Sequence, residues 1–184
     1  MRLFVGIRIS EEIKKRLEQV ERELKEKIKE AKIVLPENLH LTLKFLGNVE
    51  DHGIEEINYN LEKIAEEFTP FNMKCYGMGA FPTEKKIRVL WVGASAEKNL
   101  IKLNRKIEEE LEKIGFLREN KFKEHITIAR FKSIPNLKHL RDFIDKYRES
   151  EFGEFEVNEF ELIKSDLTPE GPIYTTLKKF KFRG

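Results

Sequence analysis

The chain reads Leu39-His-Leu-Thr-Leu-Lys-Phe45 at one point and His125-Ile-Thr-Ile128 at another, and both segments alternate polar and apolar residues. Such alternation is typical of a β-strand with one buried face, because successive strand side chains point to opposite sides of the sheet. The His and Thr of each copy therefore share one face, and the Leu or Ile between them points toward a core. The sequence predicts two strands that each present an imidazole and a hydroxyl on the same side.

The repetition of His-x-Thr exceeds what composition alone supplies. With 4 His and 7 Thr in 184 residues, chance would produce about 0.15 copies of the pattern. The structural alternative is a pair of half-buried strand histidines beside threonines, which suit strands in any case. Two copies in strand-like surroundings favour a shared chemical role.

Length and composition indicate one globular domain, or two closely joined lobes, with enough residues for a substantial core. The chain is 40% hydrophobic and 37% charged, with a net charge of only +2. This balance argues against a strong non-specific hold on long nucleic acid but allows a local basic site. The abundance of Lys and Glu resembles the composition of hyperthermophile proteins.

The sequence predicts an intracellular protein without disulfides. Cys75 is the single cysteine, which excludes an intrachain disulfide and a cysteine-based zinc site. The apolar run Leu3–Ile7 is too short for a signal peptide, and no stretch is long enough to span a membrane. We therefore expect a cytoplasmic protein, and we expect it to be a monomer.

Hydrophobic periodicity predicts nearly the same order of elements in both halves of the chain: strand, long helix, His-x-Thr strand, helix and strand. The predicted helices are Glu11–Lys32, Gly53–Phe68, Glu97–Ile114 and Pro135–Arg148, and the predicted strands are residues 3–9, 39–46, 71–81, 87–94, 124–131, 152–167 and 173–182. This order predicts an α+β fold, a bilobal pseudo-symmetric duplication within one domain of residues 1–184. Two mostly antiparallel sheets would line a central cleft, with helices packed outside.

The paired motifs carry the groups that acid–base chemistry on a phosphodiester needs. One group must take a proton from the nucleophile and another must return one to the leaving oxygen, and two histidines in opposite protonation states can do both. His40 and His125 are the candidates, and the hydroxyls of Thr42 and Thr127 can donate to the non-bridging oxygens. This chemistry requires no metal or other cofactor, and no carboxylate–His cluster that could bind a metal stands beside either motif.

Residues that flank the motifs are weaker candidates. By strand parity Lys44 shares a face with His40 and could bind phosphate, whereas Phe45 has the parity of the core. Arg130 falls on the face opposite His125, so it would reach the site only from a strand end or a bulge. Other conspicuous side chains fit ordinary structural roles, namely packing for Trp91, Phe131 and Tyr174 and surface positions for His52 and His139.

With their flanks, the paired motifs resemble those of the two-histidine phosphoesterase superfamily, and most closely those of the RNA 2′,3′-cyclic phosphodiesterases, also known as 2′-5′ RNA ligase-like proteins. The similarity covers nearly the whole chain. The segments that carry it are Met1–Ile7, Pro36–Gly47, Phe81-Pro82, Arg88–Gly93, His125–Arg130 and Ser165–Tyr174. The resemblance implies a bilobal α+β fold in which the two motifs face each other across a cleft.

The resemblance also implies hydrolysis of a 2′,3′-cyclic phosphate, on an RNA end or a small cyclic nucleotide, to a 2′-phosphate. In that reaction His125 would activate water and His40 would protonate the departing 3′ oxygen, while Thr42 and Thr127 would hold the phosphate. Arg130 occupies the basic position that the family has after its second motif. The two motifs are nearly symmetric, so the residues alone leave open which histidine is the acid.

Two alternatives remain at this point. A non-catalytic RNA-end binding protein would hold cyclic-phosphate ends without turnover, but binding alone does not need two proton-transfer groups. An RNA ligase of tRNA-half-like fragments would need a site for a second RNA end, for which Lys85-Lys86 or the strand Lys178–Arg183 could serve. Basic stretches of this kind are more typical of solvated surface.

Overall fold

Nine strands and four helices follow one another in the computed structural model, which describes all residues from Met1 to Gly184. The strands are β1 (Arg2–Arg8), β2 (Lys32–Ile33), β3 (His40–Asn48), β4 (Phe71–Thr83), β5 (Lys86–Ser95), β6 (His125–Arg130), β7 (Glu151–Val157), β8 (Glu159–Thr168) and β9 (Gly171–Lys181). The helices are α1 (Glu11–Lys27), α2 (Ile54–Glu66), α3 (Asn99–Glu112) and α4 (Leu137–Tyr147), with short 3-10 turns at Pro36–Asn38 and Asp51–Gly53.

The strands form one curled, antiparallel sheet in the order β7-β4-β5-β6-β3-β1-β8-β9, and β2 pairs with the end of β6. The two motif strands, β3 and β6, are central neighbours, but they pair only at Leu41 and Ile126. Four strands lie on each side of this narrow junction. The predicted α+β fold and its duplication are confirmed, and the sheets of the two lobes are continuous through one residue pair.

Each lobe combines segments from both halves of the chain. The His40 lobe contains β1, β3, β8 and β9, covered by α2 and α3, whereas the His125 lobe contains β4 to β7, covered by α1 and α4. Helix α1 thus follows a strand of one lobe and packs against β6 and β7 of the other. This exchange makes the lobes interdependent, and one buried hydrophobic cluster of 45 residues includes side chains from both.

Local sequence explains where α1 forms. Its apolar side chains recur every three or four residues and are buried at Ile13, Leu17, Val20 and Leu24, so the helix presents one apolar stripe to the sheet. The Ser10 side chain accepts a hydrogen bond from the Ile13 backbone N–H at 3.4 Å, which caps the helix. None of the four helices has the length and apolar character that crossing a membrane requires.

The predicted single strand 152–167 is wrong. The structure divides it at Asn158 into β7, which pairs with β4, and β8, which pairs with β1, so the chain crosses from one lobe to the other at this point. Helix α1 ends at Lys27, not at Lys32, and α4 begins after Asn136, whose side chain accepts a hydrogen bond from the His139 N–H. The sequence does not reveal the break at Asn158, because side chains alternate every two residues in both β7 and β8.

Candidate active site

The junction between β3 and β6 brings the two motifs together. Leu41 and Ile126 are directly opposite each other and fully buried, so the residues on either side of each must face the cleft. In an antiparallel pair the neighbours of this position are also opposite one another, which sets His40 beside the threonine of the second motif and His125 beside the threonine of the first. Such opposing residues have Cβ atoms about 5 Å apart. The four side chains thus form one compact cluster.

Each histidine is held by the backbone two residues before it. His40 Nδ1 lies 2.6 Å from the Asn38 carbonyl oxygen, and His125 Nδ1 lies 2.6 Å from that of Lys123. A carbonyl oxygen can only accept, so both Nδ1 atoms carry the proton and both Nε2 atoms of the neutral rings are acceptors. His40 Nε2 lies 2.9 Å from Thr42 Oγ1, whereas His125 makes no equivalent bond.

An aromatic ring meets each imidazole edge to face. Tyr174 is 5.1 Å from His40 with an interplanar angle of 82°, and Phe81 is 5.0 Å from His125 at 88°. Phe4 adds a second contact to His40 at 4.6 Å. Phe4 lies on β1, Tyr174 on β9 and Phe81 on β4, so each imidazole packs against aromatic side chains of its own lobe.

A β-bulge brings Arg130 to the cleft side. Ala129 of β6 is opposite Leu90 of β5, and Thr127 is opposite Trp91, so Ile128 has no partner on β5. After this residue, the side chains of β6 point to the opposite faces from those that strict alternation predicts. Arg130 is consequently exposed, and it is close enough to both histidines to lower their pKa values. The bulge that Arg130 needs in order to reach the site is therefore present.

The same irregularity in β3 overturns two predictions from parity. Lys44 is opposite Val5 and Thr42 is opposite Gly6, so Leu43 has no partner on β1. Side chains after Leu43 therefore point to the opposite faces from those that strict alternation predicts. Lys44 is therefore turned away from the cleft and buried against Glu108 of α3 at 2.6 Å, where it cannot bind phosphate. Phe45, predicted to be in the core, is instead 56% exposed, in the position that Arg130 has in β6. Strict period-two reading cannot detect a bulge.

The environment lowers the pKa of both imidazoles. The pKa of His40 is lowered to about 4, chiefly because burial disfavours the charged ring, and Arg8 and Arg130 add repulsion. The pKa of His125 is also lowered, again mainly by burial, with Arg130 and Lys123 contributing. Both rings are therefore neutral near pH 7 without substrate. A bound phosphate anion would favour their protonated forms.

Arg8 was not among the residues predicted to lie at the site. It lies opposite His40 on β1, and its guanidinium donates to Glu161, to the Glu37 carbonyl and to Thr176. Its only signal in the sequence was a charge inside a buried strand, next to an apolar run.

The remaining conspicuous residues lie where ordinary packing predicts. Phe131 is buried, and the Trp91 ring lies over Gly79 and contacts Phe81 at 5.4 Å. Residues on the exposed surface are His52, His139, Lys85 and Lys86. Lys178 forms a surface ion pair with Glu62 of α2.

A duplicated α+β sheet with two His-x-Thr strands meeting at its centre is the arrangement that the resemblance to two-histidine phosphoesterases implies. Comparison with known proteins agrees with this class. The family model described as LigT like Phosphoesterase matches twice, over residues 7–91 and 92–174, and the chain belongs to this family. The two matches divide the chain near the end of β5, in keeping with the duplication.

Relatives align over nearly the full length. The RNA 2′,3′-cyclic phosphodiesterase of Methanocaldococcus jannaschii is 42% identical over 98% of this chain and all of its own. That of Archaeoglobus fulgidus is 39% identical over the same shares. The crystal structure of TT0787 of Thermus thermophilus superimposes with a TM-score of 0.87 at 31% identity, covering 100% of this chain and 99% of that one.

Proposed function

We propose that this protein hydrolyses 2′,3′-cyclic phosphates at RNA ends to 2′-phosphomonoesters by metal-independent catalysis with two histidines. The observation that carries the proposal is the pairing of Leu41 with Ile126, since it sets each motif histidine beside the threonine of the other motif. The names of the full-length relatives in Methanocaldococcus jannaschii and Archaeoglobus fulgidus support the choice of substrate.

In this mechanism His125 is the general base. Its Nδ1 proton is held by a backbone carbonyl and its Nε2 makes no bond to the neighbouring threonine, so Nε2 can accept a proton from water. The water oxygen bonds to phosphorus as the bond from phosphorus to the 3′ oxygen breaks. Nε2 of protonated His40 then donates a proton to that oxygen. The proton taken up by His125 is released to solvent, and solvent reprotonates His40.

Three side chains would hold the phosphate through this step. The hydroxyls of Thr42 and Thr127 lie on the histidine face and can donate to the non-bridging oxygens, on which negative charge builds. Arg130 adds a full positive charge at the rim of the same cluster. Donors that are already oriented stabilise the developing charge more effectively than water does, because they need no reorganisation.

The nucleoside would lie on the His40 side of the phosphate, because the departing 3′ oxygen remains attached to the ribose. This side carries an aromatic shelf, which we define as Phe4, Phe45 and Tyr174. The ring of Phe45 is exposed and lies 6.0 Å from that of Phe4. Every nucleobase can stack on such a surface, so the shelf would accept RNA ends without strong sequence preference.

The same groups could also join two RNA ends. If a 5′-hydroxyl of a second RNA end replaced water beside His125, the product would be a 2′-5′ linkage, with His125 again the base and His40 again the acid. Water at its high concentration favours hydrolysis. An assay that contains both RNA ends would therefore show ligation only as a minor product.

The test uses an RNA that ends in a 2′,3′-cyclic phosphate, incubated with the protein in EDTA. We expect a product whose terminal phosphate is removed by phosphatase and whose ribose resists periodate before that treatment and is cleaved after it. The untreated 2′-phosphate and 3′-phosphate isomers are then separated by chromatography against synthetic standards. A 3′-phosphate product would contradict the proposed roles of His40 and His125, and tight binding without turnover would indicate an RNA-end binding protein.

A further inference from the structure

One residue holds both His40 and the C-terminal strand. The Asn38 carbonyl oxygen accepts the hydrogen bond from His40 Nδ1 at 2.6 Å, while its side-chain amide donates to the Pro172 carbonyl oxygen at 3.0 Å. Asn38 is 6% exposed, so neither bond competes with bulk water. The position of the carbonyl that orients His40 therefore depends on where β9 begins.

Arg8 makes a second connection between the same two segments. Its Nη1 donates to the Glu37 carbonyl oxygen at 2.9 Å and its Nη2 donates to Thr176 Oγ1 at 3.0 Å. Its Nε donates at 2.7 Å to Glu161, a carboxylate whose side chain is 3% exposed. A planar guanidinium held by three partners has little freedom to move. The 3-10 turn Pro36–Asn38 is thus tied to β9 at two points.

These connections exist in only one lobe. The sheet register places Arg8 opposite His40 on β1, but it places Gly93 opposite His125 on β5. Glycine has no side chain that could link the backbone before His125 to an outer strand. The two histidines have matching motifs, yet the support of their Nδ1 atoms differs.

We infer that Asn38 is a positioning residue for His40 and that Arg8 assists it, so that β9 orients the imidazole on the leaving-group side. The inference rests on the proposed function for its catalytic consequence. Its structural part does not, because the orientation of an imidazole can be observed without turnover. The backbone carbonyl of residue 38, which contacts His40, is present whatever the side chain is. The Asn38 side chain contacts Pro172, so it can affect His40 only by fixing the position of that carbonyl.

The experiment compares Asn38→Leu with Asn104→Leu. Asn104 is a matched control because it is also buried and its amide also donates to a backbone carbonyl, that of Leu43 at 2.9 Å, on the outer face of β3. The first measurement is the long-range ¹H–¹⁵N correlation spectrum of the imidazoles, which reports which ring nitrogen carries the proton. The second is kcat, KM and the pH dependence of kcat/KM on an RNA 2′,3′-cyclic phosphate.

We expect Asn38→Leu to give His40 signals of mixed tautomers and a kcat reduced about tenfold or more, because small misplacements of catalytic groups are costly. KM should change less than about twofold, and the pH profile of kcat/KM should move to lower pH, since the bond to residue 38 raises the pKa of His40. Asn104→Leu should lose similar thermal stability and keep wild-type His40 signals and kcat.

Wild-type signals and kcat in Asn38→Leu would overturn the inference and leave Asn38 with a purely structural role. If Asn38→Leu does not fold, Arg8→Lys tests the same connections, because it keeps the charge and loses the fork of donors. Mixed tautomers of His40 in Arg8→Lys would support the inference, and an unchanged spectrum would overturn it. A wild-type protein without turnover would refute the proposed function while leaving the spectroscopic result valid.

Discussion

At the scale of single residues, charge and burial control the chemistry of the cleft. Arg130 is the one positive side chain that lowers the pKa of both His40 and His125. We therefore propose that it has two effects, attracting the phosphate and helping burial to keep the substrate-free imidazoles neutral. The phosphate anion offsets the second effect when it binds, so protonation of the acid is linked to substrate binding.

This linkage predicts how pH affects the reaction. In the free protein the pKa values of His40 and His125 both lie below 6.5. Because kcat/KM reports the free protein, it should decline as pH rises above these pKa values. The decline of kcat, which reports the enzyme–substrate complex, should occur at higher pH. Arg130→Met removes the repulsion, which raises both pKa values and should move the kcat/KM profile to higher pH while reducing its maximum about tenfold or more. Lys102→Met, on α3 away from the cleft, is the control. A profile with an unchanged position in Arg130→Met would contradict this account.

Phe45 provides a prediction about substrate binding. Its exposed ring forms the outer part of the aromatic shelf, and base stacking on such a ring contributes about 1–3 kcal/mol. Phe45→Ala should therefore raise KM for a cyclic-phosphate nucleotide about tenfold and change kcat little, as steady-state kinetics can measure. Tyr59→Ala, which removes a similarly exposed ring from α2, should leave KM unchanged. Equal KM values for the two variants would mean that the base lies elsewhere.

Residues close to the motifs also show where prediction from sequence succeeds and fails. The shared face of His40 and Thr42 follows from strand periodicity, because the two positions lie before the bulge. Lys44, Phe45 and Arg130 lie after it, and there the same rule gives the wrong face. A bulge depends on how two strands twist against each other, and no local sequence pattern in these segments signals it.

At the scale of elements, β3 is attached to α3 by a buried ion pair. Lys44 and Glu108 are 2% and 3% exposed and 2.6 Å apart, and Lys44 also donates to the Leu117 carbonyl oxygen. Glu108 accepts a further bond from the Glu119 backbone N–H. The pair thus fixes the connection that leads from α3 toward His125, and its buried charges satisfy each other.

Removing one partner should therefore destabilise the fold. Lys44→Met leaves Glu108 buried without its counter-ion, which typically costs about 3–5 kcal/mol, and urea unfolding can measure the loss. The double variant Lys44→Met, Glu108→Leu should recover much of it, because no unpaired charge remains. For comparison, Lys113→Ala breaks a surface pair with Glu110 and should cost less than about 1 kcal/mol. Similar losses for Lys44→Met and Lys113→Ala would contradict the assignment.

Helix α1 contains a buried acid with no hydrogen-bonding partner. Both carboxylate oxygens of Glu21 are unpaired and the residue is 1% exposed. Burial raises its pKa from 4.5 to about 8, and the charge of Glu18 adds to the effect. The folded protein therefore retains a proton that the unfolded chain loses, so the stability from this group is complete below pH 4.5 and is lost as pH rises toward 8.

Glu21→Gln should remove this pH dependence. Relative to wild type, the variant should gain about 4 kcal/mol of stability as pH rises from 5 to 8.5, as urea unfolding at several pH values would show. Glu26→Gln, at an exposed position on the same helix, should follow the wild-type curve. Parallel curves for wild type and Glu21→Gln would mean that Glu21 is ionised in the folded protein.

At the scale of the whole molecule, the exchange of helices between lobes explains what the sequence could and could not predict. The order of elements was predictable, because amphipathic periods of 3.6 and 2 mark most of them clearly. Their partners were not, since the period of α1 shows that it has an apolar face but not that this face covers the opposite lobe. The break at Asn158 was hidden for the same reason. Pairing across lobes is decided by packing between distant segments.

The duplicated architecture has a direct consequence for function. All four motif residues come from one chain and meet at one residue pair, so we propose that a monomer contains the complete site. The two lobes contribute unequally, with the aromatic shelf and the Arg8 connections on the His40 side and an open Nε2 on the His125 side. We propose that this difference separates the roles of two otherwise matching histidines.

In the proposed reaction His40 and His125 act as a pair without metal, and the decisive measurement is single-turnover kinetics on an RNA 2′,3′-cyclic phosphate in EDTA. We predict that His40→Ala and His125→Ala each lower the rate about 10³-fold, and that the double variant is scarcely slower than either, because the two groups act in one step. Replacing the exposed histidines, as in His52→Ala with His139→Ala, should change nothing. Wild-type rates in the His40→Ala, His125→Ala double variant would contradict the account.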